Sequence, residues 1–297
     1  MSQATKKRIS KLIKDIKSKT LSHDKLIESI KEIGVKGNKS LADDLIPLLD
    51  EFDEKDVITN LKDTIKKMGI TADFMNQEGI KKEDENDFDG AIRMYELCVK
   101  LDPKHKWAWY NMARMYNNQK NNKEKAIELY KEAVSVDENY GDAWNNMGNV
   151  YLDLNQLSLA KQAYERTLQS KGYNFKHFPY YNLGLVYNRV NNPKKALDFF
   201  LKALQIKGDY ARALYHTGKT YRILEEHEKA SEYFALALEH DKHFEKSIRD
   251  LGVVMEEVIT KQILRKLDKF EPDQDKKGKK FKDKPAKPHG VRKHGVR

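Results

Sequence analysis

The strongest constraint in this chain is a period. Glycine or alanine recurs at Gly79, Ala113, Gly148, Gly184, Gly218 and Gly252, in steps of 34, 35, 36, 34 and 34 residues. Twelve or thirteen residues after each of the first five stands an alanine: Ala91, Ala126, Ala160, Ala196, Ala230. Four residues further comes an aromatic (Tyr95, Tyr130, Tyr164, Phe200, Phe234), and three beyond that a small residue (Cys98, Ala133, Thr167, Ala203, Ala237). A repeat of this length is one supersecondary unit that cannot bury its apolar stripe alone, so copies must stack. Each unit reads as two amphipathic helices. The small residues let their backbones approach, and the aromatics are expected to fill the gap between one unit and the next. The fold class is all-α: an α-solenoid of about five helix pairs, with a C-terminal capping helix and a small helical region in front.

Composition agrees with a thin, high-surface array. Of 297 residues, 34% are charged and 39% hydrophobic, less apolar material than a deep globular core uses. The single cysteine, Cys98, forms no intrachain disulfide and no paired-cysteine metal site. No apolar run reaches the roughly 18 residues of a membrane span, and Met1–Leu12 lacks the apolar core of a signal peptide. The expected compartment is cytoplasmic. The net charge of +10 is uneven: residues 273–297 carry +7 and residues 6–19 carry +6, which leaves residues 20–272 at −3.

The unit signature resembles the tetratricopeptide repeat (TPR). Its first-helix pattern of aromatic, then apolar-Gly, then Tyr reads Trp109, Met112-Ala113 and Tyr116 in the second unit. The third unit has Trp144, Met147-Gly148 and Tyr151, and the fourth has Tyr180, Leu183-Gly184 and Tyr187. The fifth unit is weaker, with Leu214, Thr217-Gly218 and Tyr221, and the first has Met75 and Lys82 in place of the aromatic and the Tyr. The units are 72–105, 106–140, 141–176, 177–210 and 211–244, followed by a capping helix, 245–270, and a lysine-rich tail, 271–297, expected to be disordered. The cap would be closed by Ile248, Leu251 and Met255, and its stripe continues through Ile259, Ile263, Leu267 and Phe270.

Residues 1–70 also read as helical. Leu26, Ile30, Ile33 and Gly34 reappear 35 residues later as Leu61, Ile65, Met68 and Gly69, around an apolar segment containing Pro47. Ser40 is an N-cap candidate, and Pro47 should kink its helix. This region resembles a HEAT repeat; an unrelated small helical bundle would give the same pattern. In the first helix Ile9, Leu12, Ile13 and Ile16 form one stripe and lysines cover the rest. That pattern suits either a terminal solenoid helix with a solvated face or a helix for an anionic surface.

The resemblance implies that the first helices line a concave groove through positions 2, 5, 6, 9, 12 and 13 of each unit. Position 6 then gives Asn111, Asn146 and Asn182 in consecutive units, flanked by Asn145 and Asn149. An amide both donates and accepts, so the row could hold a peptide backbone; it is similar to the asparagine ladders of superhelical members of the family. Trp107, Tyr110, Phe178, Tyr181 and Leu185 offer apolar anchors. Arg189, Arg212, His216, Lys219 and Arg222, with Tyr215 among them in the groove, make the C-terminal end basic, opposite Asp73, Glu83 and Asp84, a gradient that would orient an acidic peptide. The carboxylate clamp of co-chaperones is matched only in part, by Asn149, Asn182 and Arg212, because Asn145 and His216 stand where it has basic residues.

No phosphate loop, GxSxG or HExxH occurs, and His240 with His243 makes no convincing metal pair. The expected function is a non-enzymatic interaction scaffold, without cofactor or metal, that binds a peptide of a partner protein in the groove. The alternative is an adaptor for nucleic acid or an anionic surface, acting through the basic N-terminal helix and the tail. A homodimer through residues 255–270 is a further expectation.

Overall fold

The computed structural model describes residues 3–37, 41–241, 249–250 and 252–258, with 42 and 43 by backbone alone. The described residues form fourteen α-helices up to His240, the 3-10 turn Ile46–Asp50 and a further helical stretch at 252–258. Four helices precede the repeats: α1 (Gln3–Lys17), α2 (His23–Lys36), the short α3 (Ala42–Leu45) running into the 3-10 turn Ile46–Asp50, and α4 (Lys55–Lys67). Five antiparallel pairs follow: α5 (Ala72–Asp84) with α6 (Phe88–Leu101), α7 (Lys106–Asn118) with α8 (Lys123–Val136), α9 (Gly141–Asp153) with α10 (Leu157–Gln169), α11 (His177–Arg189) with α12 (Pro193–Ile206), and α13 (Ala211–Ile223) with α14 (His227–His240). Each second helix also packs on the first helix of the next pair.

Inside a pair, the periodic aromatic lies against its own unit's periodic glycine. A Cβ on Gly79 would come within 2.5 Å of the Tyr95 ring, and one on Gly148 within 2.6 Å of Tyr164. No side chain fits there, so glycine is required by close approach. Tyr95, Tyr130, Tyr164, Phe200 and Phe234 are all fully buried. They lock the two helices of one unit, and Phe200 also reaches the next unit as expected, its ring 5.6 Å from that of His216. Tyr95 donates to Glu83 and Tyr164 to Asn149, both within their own units.

The turn inside each pair contains one residue in the left-handed region: Asn86, Asn121, Asn155, Asn191 and Glu225, with φ between 49° and 61°. Asparagine tolerates this conformation better than most residues, which explains four of the five. Side-chain caps then start three of the second helices: Asp87 accepts from Gly90 N, Asn122 from Lys125 N and Asn192 from Lys195 N. The first-helix tryptophans anchor the turn before them, Trp109 Nε1 donating to Pro103 O and Trp144 Nε1 to Glu138 O, both at 2.9 Å.

The N-terminal helices extend the same core. Ile9, Ile13 and Ile16 of α1 are buried, Leu12 packs beside them, and Arg8 pairs with Glu32 of α2. Hydrogen bonds from Arg8 and Lys36 hold the Glu32 carboxyl down at about 2. The stripe of α1 is thus consumed by packing, as for a terminal solenoid helix. Leu26, Ile30 and Ile33 of α2 face Leu61 and Ile65 of α4 in one buried cluster. At Pro47 the chain changes from α to 3-10 geometry, the break proline imposes. One apolar cluster runs from Ile9 to Val186; two smaller ones serve the last units.

Beyond α14, residues 252–258 are helical. Val254 is buried with Leu214 and Phe234, and Val258 packs beside it, whereas Met255 is 48% exposed. The closing residue is therefore Val254, not Met255: one position along a helix turns a side chain by about 100°. Ser40, Ile248, Leu251, the stripe from Ile259 to Phe270 and the basic tail lie outside the described residues.

Candidate functional site

The first helices bring polar side chains together at each junction, always from position 5 of one unit to position 6 of the next. Asn111 Nδ2 donates to Asn76 Oδ1 at 3.3 Å, Asn146 Nδ2 to the Tyr110 hydroxyl at 3.0 Å, and Asn182 Nδ2 to Asn145 Oδ1 at 3.4 Å. At the fourth junction the Tyr181 and His216 rings meet with centroids 5.6 Å apart. At the last, the Tyr215 hydroxyl donates to Asp250 Oδ2 at 2.7 Å. The asparagine row is thus a zipper between units. Asn111, Asn145 and Asn182 are buried, and a buried amide needs such partners.

Asn182 Nδ2 also donates to Asn149 Oδ1 at 2.9 Å, and that oxygen accepts from Tyr164 as well. Asn149 therefore meets its neighbours with its oxygen. Asn146 and Asn149 are half-buried. Burial raises the Tyr110 and Tyr181 hydroxyls above their usual range, and burial followed by the Asp250 bond raises Tyr215 to about 12. At neutral pH all three are neutral hydroxyls.

Two adjoining depressions open along this face. The first, of about 460 Å³, is lined by Asn145, Asn146, Asn149, Phe178, Tyr181, Asn182, Leu185 and Arg212, all expected from the sequence, together with Leu152, Asp153 and Tyr210. The second, of about 480 Å³, shares Leu185 and adds Arg189, His216 and Lys219 to Asn188, Asn191, Pro193 and Ile223. Asn111, Tyr215 and Arg222 line neither. Trp107 is 52% exposed but also outside both, under the Lys106 ammonium.

The charges are less segregated than the sequence suggested. At the acidic end Asp73 meets His105 at 3.2 Å and Glu83 meets Arg114 at 3.5 Å. At the basic end Arg222 lies 3.8 Å from Asp250, and Arg189 donates to the Leu152 carbonyl. Asp250 is a groove residue that the reading of positions missed. Its signal was present: with Gly252 in step with the period, Asp250 falls on position 6. Among the described residues no group of three or more His, Cys, Asp or Glu could hold a metal ion. Cys98 is buried, and burial pushes its thiol up to about 12, so it is not reactive.

Tetratricopeptide repeat models match residues 178–243, 94–128 and, in two segments, 82–105 and 141–172; a TPR repeat model matches 117–155. The chain belongs to the tetratricopeptide repeat family. The TPR structure of MamA is 29% identical, with a TM-score of 0.51 over 57% of this chain and 96% of MamA. PilF of Pseudomonas aeruginosa aligns with a TM-score of 0.56 at 19% identity, over 68% of this chain and 92% of its own. YrrB, described as a TPR protein with an unusual peptide-binding site, aligns at 0.52 and 21% identity over 63% and 95%. The latter two share the TPR fold. Comparison with curated proteins gives no match. Among the described residues no helix is long and apolar enough to cross a membrane.

Proposed function

We propose that this chain is a non-enzymatic scaffold that holds an extended peptide segment of a partner protein across units three to five. The observation that carries this reading is the pair of depressions joined at Leu185. Half-buried amides (Asn146, Asn149) supply partners for a peptide backbone, and Arg212 supplies a charge, in a concave setting of the kind ligands use. The YrrB description says that this fold can carry a peptide site. Cys98, buried and unpaired, fits a reducing compartment, and we place the scaffold in the cytoplasm.

A photo-crosslinking amino acid placed at Leu185, and in parallel at Lys161 on the outer helix α10, tests the site in cells. Adducts with a partner protein are expected from position 185 and not from 161. Equal yields from both positions, or none from 185, would remove the groove from the account.

A second reading rests on α1. Because its apolar stripe is buried, Lys6, Lys7, Lys11, Lys14 and Lys17 are turned outward. Such a face would attract an anionic surface through charge alone, with strong salt dependence. Sedimentation with phosphatidylserine vesicles, compared between the wild type and Lys7→Glu/Lys11→Glu/Lys14→Glu, checks it; equal retention of both excludes α1 as the contact.

A further inference from the structure

The connection between units three and four is longer than its counterparts. Residues 170–176 join α10 to α11, seven residues where 102–105, 137–140 and 207–210 have four. The longer connection is fixed at its base: Lys171 N donates to Asn139 Oδ1 at 3.2 Å, and Tyr173 is buried against Gly141. Its outer end presents Phe175, 55% exposed, beside Phe178, 37% exposed. Phe178 stacks on His177 with centroids 4.1 Å apart and meets Tyr210 edge-on at 5.8 Å. Tyr210 in turn meets Tyr181 at 5.1 Å. The result is a braced aromatic ledge along one wall of the first depression, where Phe178, Tyr181 and Tyr210 all appear. Two exposed phenylalanines on a supported ledge are what an apolar contact needs, because aromatic groups give large contact area at small entropic cost.

The second depression has a different character. Arg189, Lys219 and His216 line it, and no Asp or Glu does. The first has one carboxylate, Asp153, and one guanidinium, Arg212, and is close to neutral. Side by side, the two depressions differ in the charge they favour.

We infer that the bound segment is read at two points: an aromatic side chain seated on the Phe178–Tyr210 ledge, and an anionic side chain between Arg189 and Lys219. This rests on the peptide reading of the groove. In an extended peptide, side chains on one face recur about every 7 Å, so the two anchors fall on one face of the segment at a fixed spacing. The ledge, flanked by Phe175 of the seven-residue connection at 6.3 Å from Phe178, then gives this array a side-chain preference its repeat pattern alone does not encode.

Selection of a displayed library of random twelve-residue peptides on the full chain tests the proposal. Enriched sequences should pair Phe, Tyr or Trp with Asp or Glu at one fixed spacing. The most enriched peptide, labelled with fluorescein, should bind Phe178→Ala at least tenfold more weakly, and Arg189→Glu/Lys219→Glu likewise. The double variant should in turn prefer the peptide whose acid is changed to lysine. A phosphoserine version of the peptide distinguishes carboxylate from phosphate as the natural anion. All three positions are exposed or half-buried, and equal melting temperatures confirm folded variants. Peptides enriched without an aromatic–acid pair, or bound equally by both variants, would overturn two-point reading while leaving the peptide groove in place. Failure to enrich any peptide over an empty surface would remove both.

Discussion

The two halves of the groove share one helical register and differ in where their polar groups are directed. In the N-terminal half, Asp73 pairs with His105, Glu83 with Arg114 and Asn76 with Asn111, so the side chains facing the groove bind one another. In the C-terminal half, Asn182 is likewise tied to Asn145 and Asn149, but two depressions open beside it and an aromatic ledge stands over one. The difference teaches that a repeat position defines which side chains meet, not whether they are left for a ligand. That second property depends on the partner across the junction, and a charged partner of opposite sign closes the site.

The largest effects should come from the cores under the two halves. Phe200 is fully buried against Gly184, and Tyr95 against Gly79. Phe200→Ala and Tyr95→Ala should each cost about 3–5 kcal/mol, measured by urea unfolding. In a solenoid, damage stays near its unit, so only Phe200→Ala should reduce crosslinking at Leu185. A matching loss in Tyr95→Ala would show that the halves form one cooperative body and would dissolve the comparison.

Smaller, and more discriminating, is the asparagine zipper. Asn182→Ala strips Asn145 Oδ1 and Asn149 Oδ1 of a donor; Asn111→Ala does the same to Asn76 Oδ1. Each change leaves buried carbonyl oxygen without its partner, a cost of about 1–3 kcal/mol. Urea midpoints should fall in both variants. Affinity for a groove peptide should fall only with Asn182→Ala, because only that junction floors a depression. Equal loss of affinity would mean that the zipper acts through the overall pitch of the array.

The periodic part of the fold was legible because helix packing demands it. A small residue must stand where two backbones touch, and an aromatic must lie beneath it, so Gly148 and Tyr164 announce each other. That they also lock the two helices of their own unit was not legible, since linear spacing does not say which surface an aromatic covers. The turn asparagines Asn86, Asn121, Asn155 and Asn191 follow the same period and were readable from it. The positions of the groove residues could be counted from the family's register, and most of those counted converge on the depressions. Their pairing could not, because Tyr110 with Asn146 or Tyr215 with Asp250 requires the pitch that stacks one unit on the next. The extra residues near 171–176 were visible as length; that they set Phe175 beside Phe178 needed coordinates.

The smallest effect concerns a different explanation of the open half, that its last units are simply loose. The apolar core is continuous up to Val186 and divides into smaller clusters after it. Of the five turns inside the helix pairs, that of unit five alone places a non-asparagine residue, Glu225, in the left-handed conformation, at φ 61°. That conformation costs an ordinary side chain about 1–2 kcal/mol, and asparagine relieves part of it. Glu225→Asn should therefore raise the unfolding free energy by about 0.5–1 kcal/mol, since the backbone is already where asparagine prefers to be. Glu225 lines neither depression, so the substitution tightens the unit without altering the groove. If the open half owes its character to side-chain chemistry, peptide affinity should change less than twofold. A larger change, together with the gain in stability, would assign the opening to looseness of the last units and not to the residues that line it.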